Sequence, residues 1–198
     1  MIGADFKSFL HSVVETLDRL GLLYAIGGSV ASSIYGEARS TLDVDISVIL
    51  PAEQVRPFAE AFQALGYYAY LEAIFDAVMA HQPFNIIDAR RGFKADIFPV
   101  DPDQPTEQER QVFLRSQRRV YDQADGATAE LYTPEDVIIY KLKYYLLGRI
   151  PKHLRDIGAI LSVQGDSLDY AYVASWAAQI GAGEIWDALL TAYRDSRQ

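Results

Sequence analysis

Leu42-Asp43-Val44-Asp45-Ile46-Ser47-Val48-Ile49-Leu50 alternates apolar Val44, Ile46 and Val48 with Asp43, Asp45 and Ser47 until Pro51 interrupts it. That period of two predicts a strand with one buried face, ended by a residue that has no backbone donor. Asp43 and Asp45 project from the same face, with Cα atoms about 6.5 to 7 Å apart at the usual rise. Two acids placed side by side repel one another, and a hard, oxygen-binding ion such as magnesium offsets this while also binding substrate phosphates. Taken alone, the pair also fits the solvent face of an edge strand.

Upstream, residues 6–20 carry apolar side chains at helical spacing and run into Gly21, a natural helix stop. Residues 22–26 form a short apolar run that breaks at Gly27-Gly28, and Ser29 opens a segment ending near Tyr35-Gly36. The order is strand, tight turn, helix. Paired glycines let a backbone approach a phosphate closely, and the first turn of the helix presents unpaired N–H groups to an anion. Ser29 can add a hydroxyl donor. A Gly-Gly-Ser turn alone is commonly just a turn, and its place directly before the acid-bearing strand is what gives it weight.

Downstream, a helix is expected over 53–65, closed by Gly66, while 67–79 fits either strand or helix. Residues 84–88 and 94–100 read as a hairpin around Arg90-Arg91-Gly92, in which Ala95, Ile97 and Pro99 face away from Asp96. Asp96 stands mid-strand among apolar neighbours, where a stray charge is costly. Three such carboxylates suit a two-ion site for in-line displacement at phosphorus, with one of them accepting the proton of the attacking hydroxyl.

After Pro102 and Pro105 the pattern turns helical. Residues 106–117 suggest a helix, and 119–121 with 128–132 suggest two short strands across Asp125-Gly126. Thr133 is a good N-cap for the next helix, with Pro134 at its first position and Asp136 at the capping-box position. Further helices are expected over 152–163, 168–180 and 184–193.

Gly27-Gly28-Ser29-Val30-Ala31, then Tyr35-Gly36, Arg39, Thr41 and Asp43-Val44-Asp45, together resemble the signature of the polymerase β-type nucleotidyltransferase superfamily. The likeness is closest to small bacterial members akin to abortive-infection and toxin–antitoxin nucleotidyltransferases. It implies an α/β (α+β) fold, a mixed sheet flanked by helices, with a nucleotidyltransferase core over 1–101 and a mainly helical region over 102–198 that packs on the core. It further implies that Gly27, Gly28 and Ser29 hold a nucleoside triphosphate. Asp43, Asp45 and Asp96 would be the catalytic residues and would bind magnesium, with manganese as the alternative ion. Lys141-Leu142-Lys143 and Arg155-Asp156 resemble a lysine-bearing helix and Arg-Asp pair of those relatives, which assigns Lys141 or Lys143 to the nucleotide phosphates. Charge pattern alone fits a solvated helix face equally well. Arg39 fits a phosphate contact or an ion pair with a nearby acid. Thirteen residues separate Ser29 from Asp43, a longer gap than in minimal nucleotidyltransferases.

The activity implied is transfer of a nucleoside monophosphate from a triphosphate to an acceptor hydroxyl on RNA, protein or a small molecule. The alternative is a non-catalytic nucleotide binder, or the antitoxin-like partner in a two-protein module. A net charge of −9 argues against nucleic-acid binding by overall charge. A local basic stretch over 141–155, with Tyr140, Tyr144 and Tyr145 beside it, keeps an RNA acceptor open. The chain has no cysteine, which removes disulfides, zinc-thiolate sites and thiol nucleophiles. The opening residues lack a signal-peptide run and no stretch approaches a membrane span, so the cytoplasm is expected. A hydrolase built on a nucleophile elbow at Ser29 fails on context, because only one helix and one strand precede it and neither His81 nor His153 has an evident acid partner.

Overall fold

The computed structural model describes residues 3–38 and 40–196, and the chain divides into two compact units. The first comprises residues 1–30 and 39–131, and the second residues 31–38 and 132–198.

The first unit is built on a six-stranded mixed sheet in the order β3-β4-β2-β1-β6-β5. The strands are β1 (Tyr24–Ile26), β2 (Asp43–Ile49), β3 (Phe84–Asp88), β4 (Phe93–Val100), β5 (Gln117–Asp122) and β6 (Ala127–Leu131). The pairs β1–β2, β3–β4 and β5–β6 are antiparallel, whereas β2–β4 and β1–β6 run parallel. The sequence-predicted hairpin is present: Asp88 closes its turn, with Oδ1 accepting from the backbone N–H of Arg90 and Arg91 at 3.1 and 3.3 Å. β3 begins at Phe84 opposite Ile97, so Pro99 lies beyond β3 and keeps its register only with Val48 of β2.

The apolar face of the sheet is Val44, Ile46 and Val48 of β2 with Ala95 and Ile97 of β4, all fully buried. Helix α1 (Ala4–Arg19) contributes Phe6, Phe9, Leu10, Val13 and Leu17 to the core, as its 3.6-residue spacing predicts. Phe6 meets Phe93 edge-on, with ring centroids 5.5 Å apart. Helix α3 (Val55–Ala64) adds Phe58 and Phe62, and Phe58 packs edge-on against Phe84. The ambiguous stretch resolves into both options: Tyr68 bridges Ile87 beside β3, and α4 (Leu71–Met79) follows. Helix α5 (Glu107–Arg115) begins with a capping box between Thr106 and Glu109. Pairing of β6 with β1 brings β5 and β6 into the sheet, so this unit runs on to residue 131.

The second unit holds α6 (Pro134–Gly148), α7 (Pro151–Gln164), α8 (Tyr170–Gln179) and α9 (Gly183–Asp195), together with the later part of α2 (Gly28–Tyr35). Thr133 caps α6 as expected, its hydroxyl accepting from the Asp136 N–H at 3.3 Å and donating to Asp136 Oδ2 at 2.7 Å. Asp136 also accepts from Tyr172 Oη at 2.8 Å, and Glu135 accepts the Asp169 N–H at 3.0 Å. These buried acids are thereby satisfied, while Ile138, Leu142, Ile157, Ile160, Val173 and Trp186 fill the core. Among the described residues no helix is long and apolar enough to cross a membrane.

Candidate active site

The parallel register of β2 and β4 sets Asp43 opposite Lys94 and Asp45 opposite Asp96. Strand alternation then places Asp43, Asp45, Lys94 and Asp96 on the face opposite Val44, Ile46, Ala95 and Ile97. Neighbouring strands lie about 4.8 Å apart, so Asp45 and Asp96 are side by side and Asp43 is one pleat away. Two stretches 51 residues apart in the chain, 45 to 96, are joined by a single ladder.

The start of α2 is built against this acid face. The Gly27 N–H donates to the Asp45 carbonyl at 2.9 Å. Gly28 has φ +55°, and a Cβ there would stand 1.7 Å from Asp45 Oδ2 and 2.5 Å from its Cγ. Glycine is required twice, by the left-handed backbone and by the carboxylate pressed against it. Ser29, only 7% exposed, turns its hydroxyl to Thr41 Oγ1 at 2.9 Å and lies 3.3 Å from Asp43 Oδ1. Thr41 Oγ1 is 2.7 Å from the same carboxylate oxygen. Each hydroxyl has one proton to give, so with Thr41 donating to Asp43, Ser29 donates to Thr41. The loop before β2 thus fixes the rotamer of Asp43, a task for Thr41 that spacing did not reveal.

Asp96 is held by two residues that sequence reasoning missed. Lys94 Nζ is 2.8 Å from Asp96 Oδ2. Asn85, opposite Asp96 across the β3–β4 ladder, turns its amide nitrogen to Asp96 Oδ1. The bond to Asp96 raises Lys94 above the usual lysine range against the opposing effect of desolvation, and the fields of Asp96, Asp43 and Asp45 add to it. The signal was available for Lys94, which precedes Asp96 by two positions on one strand and therefore shares its face.

The donor set fits a hard divalent ion: three carboxylates in adjacent register positions, with a lysine ammonium already drawn to them as a stand-in cation. Asp43, Asp45 and Asp96 are the residues that would hold it. As placed, however, no three acids or histidines among the described residues converge as a metal cage; Asp96 is turned to Lys94 and Asn85, and Asp43 to the Thr41 hydroxyl.

The sequence candidates Lys141 and Lys143 belong to the second unit. Lys141 is buried in the helical unit, its Nζ 2.6 Å from Asp156 Oδ2. Lys143 lies over the Tyr140 ring, 5.6 Å from its centroid. Tyr140 packs edge-on against Tyr132, and Tyr144 stacks with His153. Arg39 lies outside the described residues.

This architecture, a mixed sheet carrying paired acids beside a Gly-Ser helix start, is the nucleotidyltransferase fold. The solution structure of the antibiotic-resistance factor ANT(2'')-Ia matches 95% of this chain and 96% of its own at 14% identity, with a TM-score of 0.57. The crystal structure of ANT(2'')-Ia in complex with adenylyl-2''-tobramycin matches at 13% identity, covering 96% and 98%, TM-score 0.53. The lincomycin-bound lincosamide antibiotic adenylyltransferase LnuA matches 82% of this chain and 98% of its own at 12% identity, TM-score 0.52. No protein-family model and no curated protein sequence matches the chain.

Proposed function

We propose that the chain is a divalent-metal-dependent nucleotidyltransferase that moves a nucleoside monophosphate from a triphosphate to an acceptor hydroxyl. The observation that carries this is the packing of Gly28 on Asp45, with Asp43, Asp45 and Asp96 on one face of two neighbouring strands. The N–H groups at the start of α2, with the Ser29 hydroxyl, bind the terminal phosphates. Asp43, Asp45 and Asp96 hold the metal, and Asp43 and Asp45 hold the nucleotide through it. Asp96 accepts the acceptor's proton at its carboxylate as the new O–P bond forms at the α-phosphorus and the bond to the departing pyrophosphate breaks. A bound divalent ion supplies Lewis-acid stabilisation of the phosphoryl oxygens.

The fold is shared with proteins described as bound to adenylyl-tobramycin and to lincomycin, which makes a small-molecule hydroxyl the first acceptor class to assay, ahead of RNA and protein. The toxin–antitoxin placement rests on the sequence resemblance, and no feature of the site favours the non-catalytic alternative. The test is calorimetric titration of each ribonucleoside triphosphate with magnesium into wild type and Asp43→Asn, followed by turnover with labelled nucleotide. Binding and transfer that vanish in a still-folded Asp43→Asn protein support the proposal. Triphosphate binding by neither protein overturns it in favour of the partner-protein alternative.

A further inference from the structure

Asp43, Asp45 and Asp96 bring three negative charges to one patch of sheet, and Lys94 brings one positive charge to the same patch. Lys94 stands opposite Asp43 in the ladder, yet its ammonium reaches along its own strand to Asp96. We propose that Lys94 is a resident counter-cation that holds Asp96 in the metal-free protein and competes with the divalent ion for it. The proposal rests on the assignment of the three aspartates as metal ligands.

Three features support a competitor rather than a fixed structural pair. The Lys94 side chain is 39% exposed whereas that of Asp96 is 19% exposed, so the lysine is the partner with room to leave. A lysine is a point charge on a flexible four-carbon stem, without the bidentate fork that locks an arginine onto a carboxylate. The pairing also accounts for the absence of a converged acid cage among the described residues, since a carboxylate held by an ammonium is not offered to a second cation. Lys94 supplies one positive charge against the mutual repulsion of the acids on this face. With it, metal entry requires the ammonium to be displaced, which weakens metal binding.

The test is calorimetric titration of Mn²⁺ alone, without nucleotide, into wild type, Lys94→Met, Lys94→Gln, Lys94→Arg and the Asp43→Asn, Asp45→Asn double variant. Lys94→Met and Lys94→Gln are expected to bind Mn²⁺ about tenfold more tightly than wild type, the scale of removing one nearby positive charge at a half-solvated site. Lys94→Arg should bind no more tightly than wild type, and the double variant should not bind. Metal-free Lys94→Gln should also melt below wild type, with the gap closing at saturating Mn²⁺. Equal or weaker Mn²⁺ binding by the neutral variants, beside a wild type that binds, overturns the counter-cation role and leaves the metal site standing. Binding by none of the proteins overturns both.

Discussion

Replacing Gly28 with alanine tests whether the start of α2 is built around the Asp45 carboxylate. At φ +55°, an L-residue bears a backbone cost of about 1–2 kcal/mol. The added Cβ would lie 1.7 Å from Asp45 Oδ2, 2.5 Å from its Cγ and 2.8 Å from its Cβ. Rotating the carboxylate relieves the first two contacts but leaves the third, so β2 or α2 must shift, and overpacking of this kind adds about 1–3 kcal/mol. The expected loss is therefore about 2–5 kcal/mol. Gly92 provides the control: its φ is +73° and nothing lies within 4 Å of a Cβ built there. Gly92→Ala should lose only the backbone part, about 1–2 kcal/mol. Urea unfolding of both variants measures the difference, and calorimetry with ATP and magnesium measures the site. Gly28→Ala should be the less stable by about 1 kcal/mol or more and lose turnover by about 10²-fold, the usual result of moving a catalytic group by about 1 Å. A Gly28→Ala protein as stable as Gly92→Ala, with nucleotide affinity intact, refutes the tight packing of α2 on Asp45.

Asp96→Asn should lower kcat by about 10²–10⁴-fold while triphosphate affinity changes far less, and equal losses in both would remove Asp96 from the proton-accepting role. Lys141 and Asp156 form a buried pair with side chains 6% and 9% exposed, so Lys141→Met should destabilise the protein by about 3–5 kcal/mol. Lys141→Met with Asp156→Leu should recover most of that in urea unfolding, and a single variant as stable as wild type contradicts the pairing. Burial pushes the Asp88 carboxyl up, but the Arg91 side chain and the Arg90 and Arg91 backbone N–H groups outweigh this and hold it below the usual carboxylate range. Its contribution is then fully present above the unfolded value of about 3.9 and lost as pH falls through the lower folded value. Asp88→Asn should flatten that acid limb of the melting-temperature profile, and parallel profiles for the two proteins would contradict it.

The sequence carried the local elements well where periodicity was strong. The α1 stripe, the alternation of β2 and the Thr133-Pro134 start of α6 each depend on residues close in the chain, and each appears as expected. It was weaker where partners decide. Residues 67–79 contain both a bridge to Ile87 and a helix, and a single window cannot hold two periods. A related limit applies after Asp101: whether 119–131 joins the sheet depends on pairing of β6 with a strand about a hundred residues away, which no local pattern encodes.

At the site, composition and spacing alone determined that Asp43 and Asp45 share a face, that Asp96 faces away from Ala95 and Ile97, and that Gly28-Ser29 begins a helix just before them. These follow from backbone geometry, which repeats every two or 3.6 residues whatever surrounds it. Tertiary structure decided which acids become neighbours, because the parallel register of β2 and β4 sets Asp45 beside Asp96. It also decided that Lys94 and Asn85 hold Asp96, that Thr41, itself held by Ser29, holds Asp43, and that Lys141 is bonded to Asp156. Each is a contact between side chains whose distance depends on the path of the whole chain, and charge pairing is settled only when that path has closed.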